Sequence, residues 1–247
     1  GFAREFPIYC EDFSSTICGY DRNKVVARIK GYIPNFPNKI RLLEEYEELP
    51  NKYAVLDFIE FIYSSLNDYC EGEYHSYWRH NHLSFPDTNN LREKFRGEIN
   101  KLFERNGIVF YLDNDGQIKR QLPIEMDFLI SKLIVNTSDD RLNELVNLAI
   151  EDIKKPNVKD RTYALEKLWD AYERIKTFYT EKKKQSTEQL IDEISEGTSN
   201  FNELLTDEFR HLTHIGNQFQ VRHFETDKIQ IKSLKHIDYL FYRMIAI

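Results

Sequence analysis

The run EFRHLTHIGNQFQVRHFE, residues 208–225, gathers three of the chain's seven histidines with two arginines and ends in an adjacent Arg222-His223 pair. These residue types suit proton transfer beside a phosphate. A neutral imidazole can take the proton from a ribose 2′-hydroxyl, or protonate a leaving oxygen. A guanidinium can stabilise the charge that builds on phosphate oxygens, and an amide such as Asn217 can orient either partner. Such a set suits metal-independent RNA cleavage in a small polar cleft, and equally the polar end of a core helix in a packed interface. In the first reading His223, Arg222 and Asn217 are the catalytic candidates, with Gln218, His211 and Glu225 as substrate contacts and His214 close by.

Other chemistries lack their motifs. The chain has no Gly-rich phosphate loop, nucleophile elbow, H-E-x-x-H or kinase signature, and no cofactor is expected. A second histidine group, His75, His80 and His82, lies in EYHSYWRHNH with Trp78 and Arg79. Zinc could use three such imidazoles, but Cys10, Cys18 and Cys70 stand at no metal spacing, and His-x-His alone is a weak signal. Surface or inter-domain packing is the expectation there. The turn Asp113-Asn114-Asp115-Gly116 has alternate carboxylates but lacks the later glutamate of a calcium loop.

The element that must position the run is a long helix, expected over Phe201–Phe224. Stepping back from His223 at 100° per residue, Phe219, Gly216, Leu212 and Leu205 fall within about 40° of it. Arg222 projects about 100° from His223 on such a helix, and Asn217 points well away. One helix cannot gather all three around a phosphate, whereas a two-fold pair of copies can.

The remaining elements follow from periodicity and caps. Val25–Ile33 reads as a strand, and Pro37 opens a helix to about Leu49. Helices are expected over Lys52–Tyr69, Asn89–Asn106 (ended by Gly107), Pro123–Ile134, Ser138–Lys155, Arg161–Tyr179 and Thr187–Ser195, with a last one after Ser233. Residues 107–122 form a hairpin around Asp115-Gly116, Lys182–Ser186 a basic loop, and Ile229–Ile231 a short extended piece. Pro156-Asn157-Val158 reads as a boundary, giving an amino-terminal helical domain over 1–155 and a helical bundle over 156–247.

Composition agrees with this fold class, mainly α with one hairpin. Nine glycines and seven prolines in 247 residues favour helix over sheet, and 14% aromatic residues point to aromatic-rich packing. The net charge of −7 argues against holding nucleic acid through bulk charge. It is uneven, however: residues 1–153 carry 18 Lys+Arg against 26 Asp+Glu, and residues 154–247 carry 16 against 15. The later part is the better one to meet an anion. Three unpatterned cysteines and the lack of an apolar run of about 20 residues suggest a reducing cytoplasm and no membrane span.

The segments YALEKLWDAYERIKTFY (Tyr163–Tyr179), LTHIGNQFQVRHFE (Leu212–Glu225) and DYLFYR (Asp238–Arg243) resemble the HEPN superfamily. The whole chain is similar to AbiJ-like abortive-infection proteins, which join a variable amino-terminal domain to a HEPN domain. The resemblance implies a bundle that dimerises and a metal-independent ribonuclease site in the cleft between protomers. It further implies an anti-phage or stress role, and control by a ligand, an antitoxin or another defence partner. The family's motif sets its histidine some four to six residues after its arginine, whereas Arg222 and His223 are adjacent here. A non-catalytic RNA- or protein-binding module is the alternative.

Overall fold

The computed structural model describes residues 2–33, 51–222 and 226–247. The chain is mainly helical and divides into two compact units, Gly1–Lys119 and Arg120–Ile247. The expected helix over 37–49 lies outside the described residues, as do His223 and Glu225.

In the first unit, a 3-10 turn at Phe2–Arg4 leads into strands β1 (Pro7–Tyr9) and β2 (Ile17–Tyr20) and helix α1 (Arg22–Tyr32). The strand expected over Val25–Ile33 is therefore a helix. Asp21 starts it, its carboxylate accepting the Asn23 and Lys24 N–H groups, and Val25 and Ile29 stack one turn apart on the buried side. Asn51 caps α2 (Lys52–Ser65) in the same way. Two small cores sit on different sides of α2. Ala54 and Phe61 join Phe6, Val25 and Ile29, while Leu56 joins Phe103, Leu112 and Ile118.

Strands β3 (Cys70–His75) and β4 (His80–Ser84) complete a sheet of order β1-β2-β4-β3. Helix α3 (Asn90–Arg105) follows. Its start is capped from a distance, by Asp68, whose carboxylate accepts the Asn90 and Leu91 N–H groups. Gly107, at φ 63°, ends it as expected. The hairpin is present as β5 (Phe110–Leu112) and β6 (Ile118–Arg120). Its Gly116 takes φ 80°, and the Tyr63 ring lies where a Cβ would project, 2.2 Å from the nearest ring carbon. Only glycine fits there.

The second unit holds α4 (Ile124–Lys132), α5 (Asp140–Lys154), α6 (Val158–Ile175), α7 (Lys183–Ile194), α8 (Ser199–Gln218) and α9 (Leu234–Ile245). Two short parallel strands accompany them, β7 (Phe219–Gln220) and β8 (Ile229–Gln230). Helix α6 is central. Its Leu165, Leu168, Trp169 and Tyr172 share one core with Ile153 of α5, Leu205 and Leu212 of α8, and Phe241 of α9. Helices α5 and α6 thus belong to one core across Pro156, and the division into compact units falls between Lys119 and Arg120. The basic loop expected at Lys182–Ser186 is largely the first turn of α7. Its Ser186 is fully buried and accepts the Tyr179 N–H.

Candidate functional site

The helix that positions the Glu208–Glu225 run is shorter than its periodicity implies. Leu205, Leu212 and Gly216 are buried as expected. After Gln218, though, the backbone turns extended, with Phe219 at φ −100° and ψ 147°. Phe219 and Gln220 pair with Ile229 and Gln230, and Val221 drops into the core at 2% exposure. The Lys228 ammonium donates to the Gly216 carbonyl at 2.7 Å, satisfying an end the helix leaves open. Strand pairing and burial of Val221 outweigh continuation of the helix. Arg222 consequently lies beyond the helix, and the helical projection that set it about 100° from His223 does not apply.

Arg222 is half-buried, and α6 holds it. Its Nε donates to Asp170 Oδ1 at 2.9 Å, and its Nη2 reaches the same oxygen. The side chains of Arg222 and Asp170 are 30% and 38% exposed, so this is a pair at the rim of the bundle. The carboxylate fixes the guanidinium plane and offsets part of its charge. Asn217 and Gln218 are exposed on the last turn of α8, with His211 and His214 exposed further back. Asp170 is the residue that sequence reasoning missed. It sits within α6, but no local spacing links it to an arginine 52 positions later.

A buried polar network stands behind this rim. The Tyr172 hydroxyl donates to the Phe209 carbonyl at 2.7 Å and lies 3.1 Å from Thr213 Oγ1. Burial pushes its pKa up to about 12, so it stays a donor at neutral pH. The Lys176 ammonium, on a residue only 7% exposed, lies 4.7 Å from the Tyr172 ring centre and 3.3 Å from Thr213 Oγ1, and pairs with Glu173. These contacts join α6 to α8 and fix the helix that carries Asp170. Beside the end of α8 runs an apolar groove lined by Ile215, Phe219, Ile231, Tyr239 and Leu240, with Tyr239 59% exposed.

In the first unit, the histidines given a packing role converge instead. His75 and His80 face each other across the β3–β4 hairpin, and His82 follows two residues on. The cysteine missing from the local spacing comes from the end of β1. One donor atom from each of Cys10, His75, His80 and His82 lies within 4.8 Å of the others. Local sequence showed the histidines but could not bring in Cys10.

Comparison with protein-family models, curated proteins and solved structures finds no match for the chain. No helix among the described residues is long and apolar enough to cross a membrane.

Proposed function

We propose that the second unit is a HEPN-type, metal-independent endoribonuclease module of an anti-phage or toxin-type stress system, acting in the cytoplasm as a homodimer. The observation that carries this reading is the Arg222–Asp170 pair. A guanidinium held by a carboxylate at the bundle rim, one residue before His223 and shortly after exposed Asn217 and Gln218, is a pre-oriented group for a phosphate. His223 accepts the 2′-hydroxyl proton or protonates the leaving oxygen. The 2′-oxygen attacks phosphorus and the bond to the 5′-oxygen breaks. The products are a 2′,3′-cyclic phosphate and a 5′-hydroxyl. The apolar groove at Ile215, Phe219 and Tyr239 supports docking of a second copy next to this end of α8. The first unit takes the regulatory role, receiving a trigger or an antitoxin.

A second reading has its own observation. The same carboxylate offsets the charge that Arg222 would give to a transition state, which favours a non-catalytic module that binds RNA or a protein.

The test incubates the full chain with total RNA, without added divalent metal, and identifies the ends produced. Wild type is expected to leave 5′-hydroxyl ends, and His223→Ala and Arg222→Ala each to lose about 100-fold or more in rate. Asp170→Asn lowers the rate while stability stays within about 1 kcal/mol, as for a surface pair. Intact RNA at high protein concentration supports the binding module. Ends bearing 5′-phosphate that need added Mg²⁺ overturn the metal-free mechanism.

A further inference from the structure

We infer that Cys10, His75, His80 and His82 form a structural zinc site that fastens the four-stranded sheet of the first unit. The inference is independent of the ribonuclease reading.

Strand geometry supplies the histidines. Side chains two apart on a strand share a face, so His80 and His82 of β4 point the same way. His75 is the residue directly opposite His80 in the antiparallel ladder, on that same face. The four-residue turn between them closes with Arg79 at φ 55°. The three rings stand 5.6–5.7 Å apart, centre to centre.

Cys10 reaches the cluster because its N–H donates to the Thr16 carbonyl at 2.8 Å, which folds the β1–β2 connection back. The residue is 2% exposed, and its Sγ lies 3.5 Å from His75 Nδ1. A zinc tetrahedron with bonds of about 2.0–2.3 Å has edges of roughly 3.3–3.7 Å. The Cys10–His75 sulfur–nitrogen separation matches such an edge, and the full donor set lies within the wider limit of 4.8 Å.

Two further observations point to a cation. The Nε2 atoms of His80 and His82 are buried and have no hydrogen-bond partner among the described residues, a costly arrangement for two imidazoles unless something else takes their lone pairs. His75 shows the outer contact typical of a metal-bound histidine. Its Nε2 lies 3.3 Å from the Asp12 carboxylate, which also accepts the Trp78 indole N–H at 3.0 Å. With the ring proton on Nε2, toward that carboxylate, the Nδ1 lone pair faces Cys10. One thiolate, three neutral imidazoles and the nearby Asp12 carboxylate balance a divalent charge.

The donor set selects the ion and its role. Sulfur with nitrogen in a tetrahedral arrangement favours zinc over the oxygen-seeking cations. Four protein ligands fill the coordination shell, which marks a structural rather than a hydrolytic centre. Burial contributes little along β3, which is exposed over nearly its whole length. Joining Cys10 to a histidine 65 residues away adds a link between the two hairpins to those made by the Phe13 ring, which packs on His75 and His82, and by the Trp78–Asp12 bond.

The test measures metal in the full chain purified without added zinc, then strips it and titrates with Co²⁺. One equivalent of zinc is expected per chain. The cobalt form should show the intense visible bands of tetrahedral coordination and a sulfur-to-cobalt charge-transfer band. Cys10→Ser should abolish that band, and His82→Ala should lose the bound equivalent. Asp12→Asn should weaken zinc by about 10- to 100-fold, with the fold checked by circular dichroism. His211→Ala, His214→Ala and Cys70→Ser should keep full zinc. Should a ligand variant fail to fold, wild-type cobalt spectra still decide. A weak octahedral spectrum, no bound metal in wild type, or equal zinc in Cys10→Ser would overturn the site.

Discussion

The Trp169 indole of α6 lies directly over Gly216 of α8. A Cβ on Gly216 would stand 1.8 Å from the nearest ring carbon, well inside any contact distance. Glycine is normally a poor helix residue, about 1 kcal/mol worse than alanine. Here it lets two helices approach and brings the end of α8 onto α6, where Asp170 meets Arg222.

Gly216→Ala is therefore expected to destabilise the second unit by about 2–3 kcal/mol despite its better helix propensity. Urea unfolding of the full chain, followed by tryptophan fluorescence, checks this. Combining it with Trp169→Leu should recover part of the loss. A neutral or stabilising effect of the single change would mean that the indole is free to move aside.

Asp238 of α9 is the shared carboxylate of two arginines. Arg120 Nη1 donates to its oxygens at 2.9 and 3.1 Å, and Arg161 approaches within 3.5 Å. Arg120 is only 6% exposed. Asp238→Asn removes the counter-charge from an arginine that cannot neutralise itself, and is expected to cost about 3 kcal/mol. The double change Asp238→Leu with Arg120→Met should cost less than the single one, since it leaves one buried charge fewer. Denaturation midpoints of the two variants give the comparison.

Glu208 and Arg243 tie α8 to α9, Nε to Oε1 at 2.5 Å and Nη2 to Oε2 at 2.7 Å. The bond from Arg243 holds the Glu208 carboxyl below its ordinary pKa. A carboxyl lowered in the folded state contributes stability above its unfolded pKa and loses it as pH falls through the folded value. Unfolding midpoints should hold between neutrality and roughly pH 5, then fall below the ordinary glutamate range near pH 4. Glu208→Gln should flatten part of that acid limb while lowering stability at neutral pH. An unchanged acid limb in the variant would assign the loss to other carboxylates.

Several elements were legible because their signals are local. The spacing of Leu165, Leu168, Trp169 and Tyr172 fixed α6, and Ile237, Leu240, Phe241 and Met244 fixed α9; all eight are buried. Asp115-Gly116 marked its hairpin, and Gly107 the end of α3. Val25–Ile33 misled because β-branched residues favour strands, while Asp21 supplied a helix cap that decides the matter. The end of α8 was illegible for a different reason. Its apolar period continues past Gln218, and pairing with Ile229-Gln230 together with burial of Val221 breaks it.

Sequence by itself determined a mainly helical chain and the core faces of α6 and α9, and it displayed two groups of histidines, pointing the Glu208–Glu225 run toward chemistry and the His75–His82 group toward packing. Tertiary structure decided their partners. Asp170 reaches Arg222 across 52 residues, and Cys10 reaches His75 across 65. Periodicity and caps act over a few residues, so they can fix which face a helix or strand buries. Which distant side chain meets that face depends on how the elements pack, and that is set by burial and strand pairing along the whole unit.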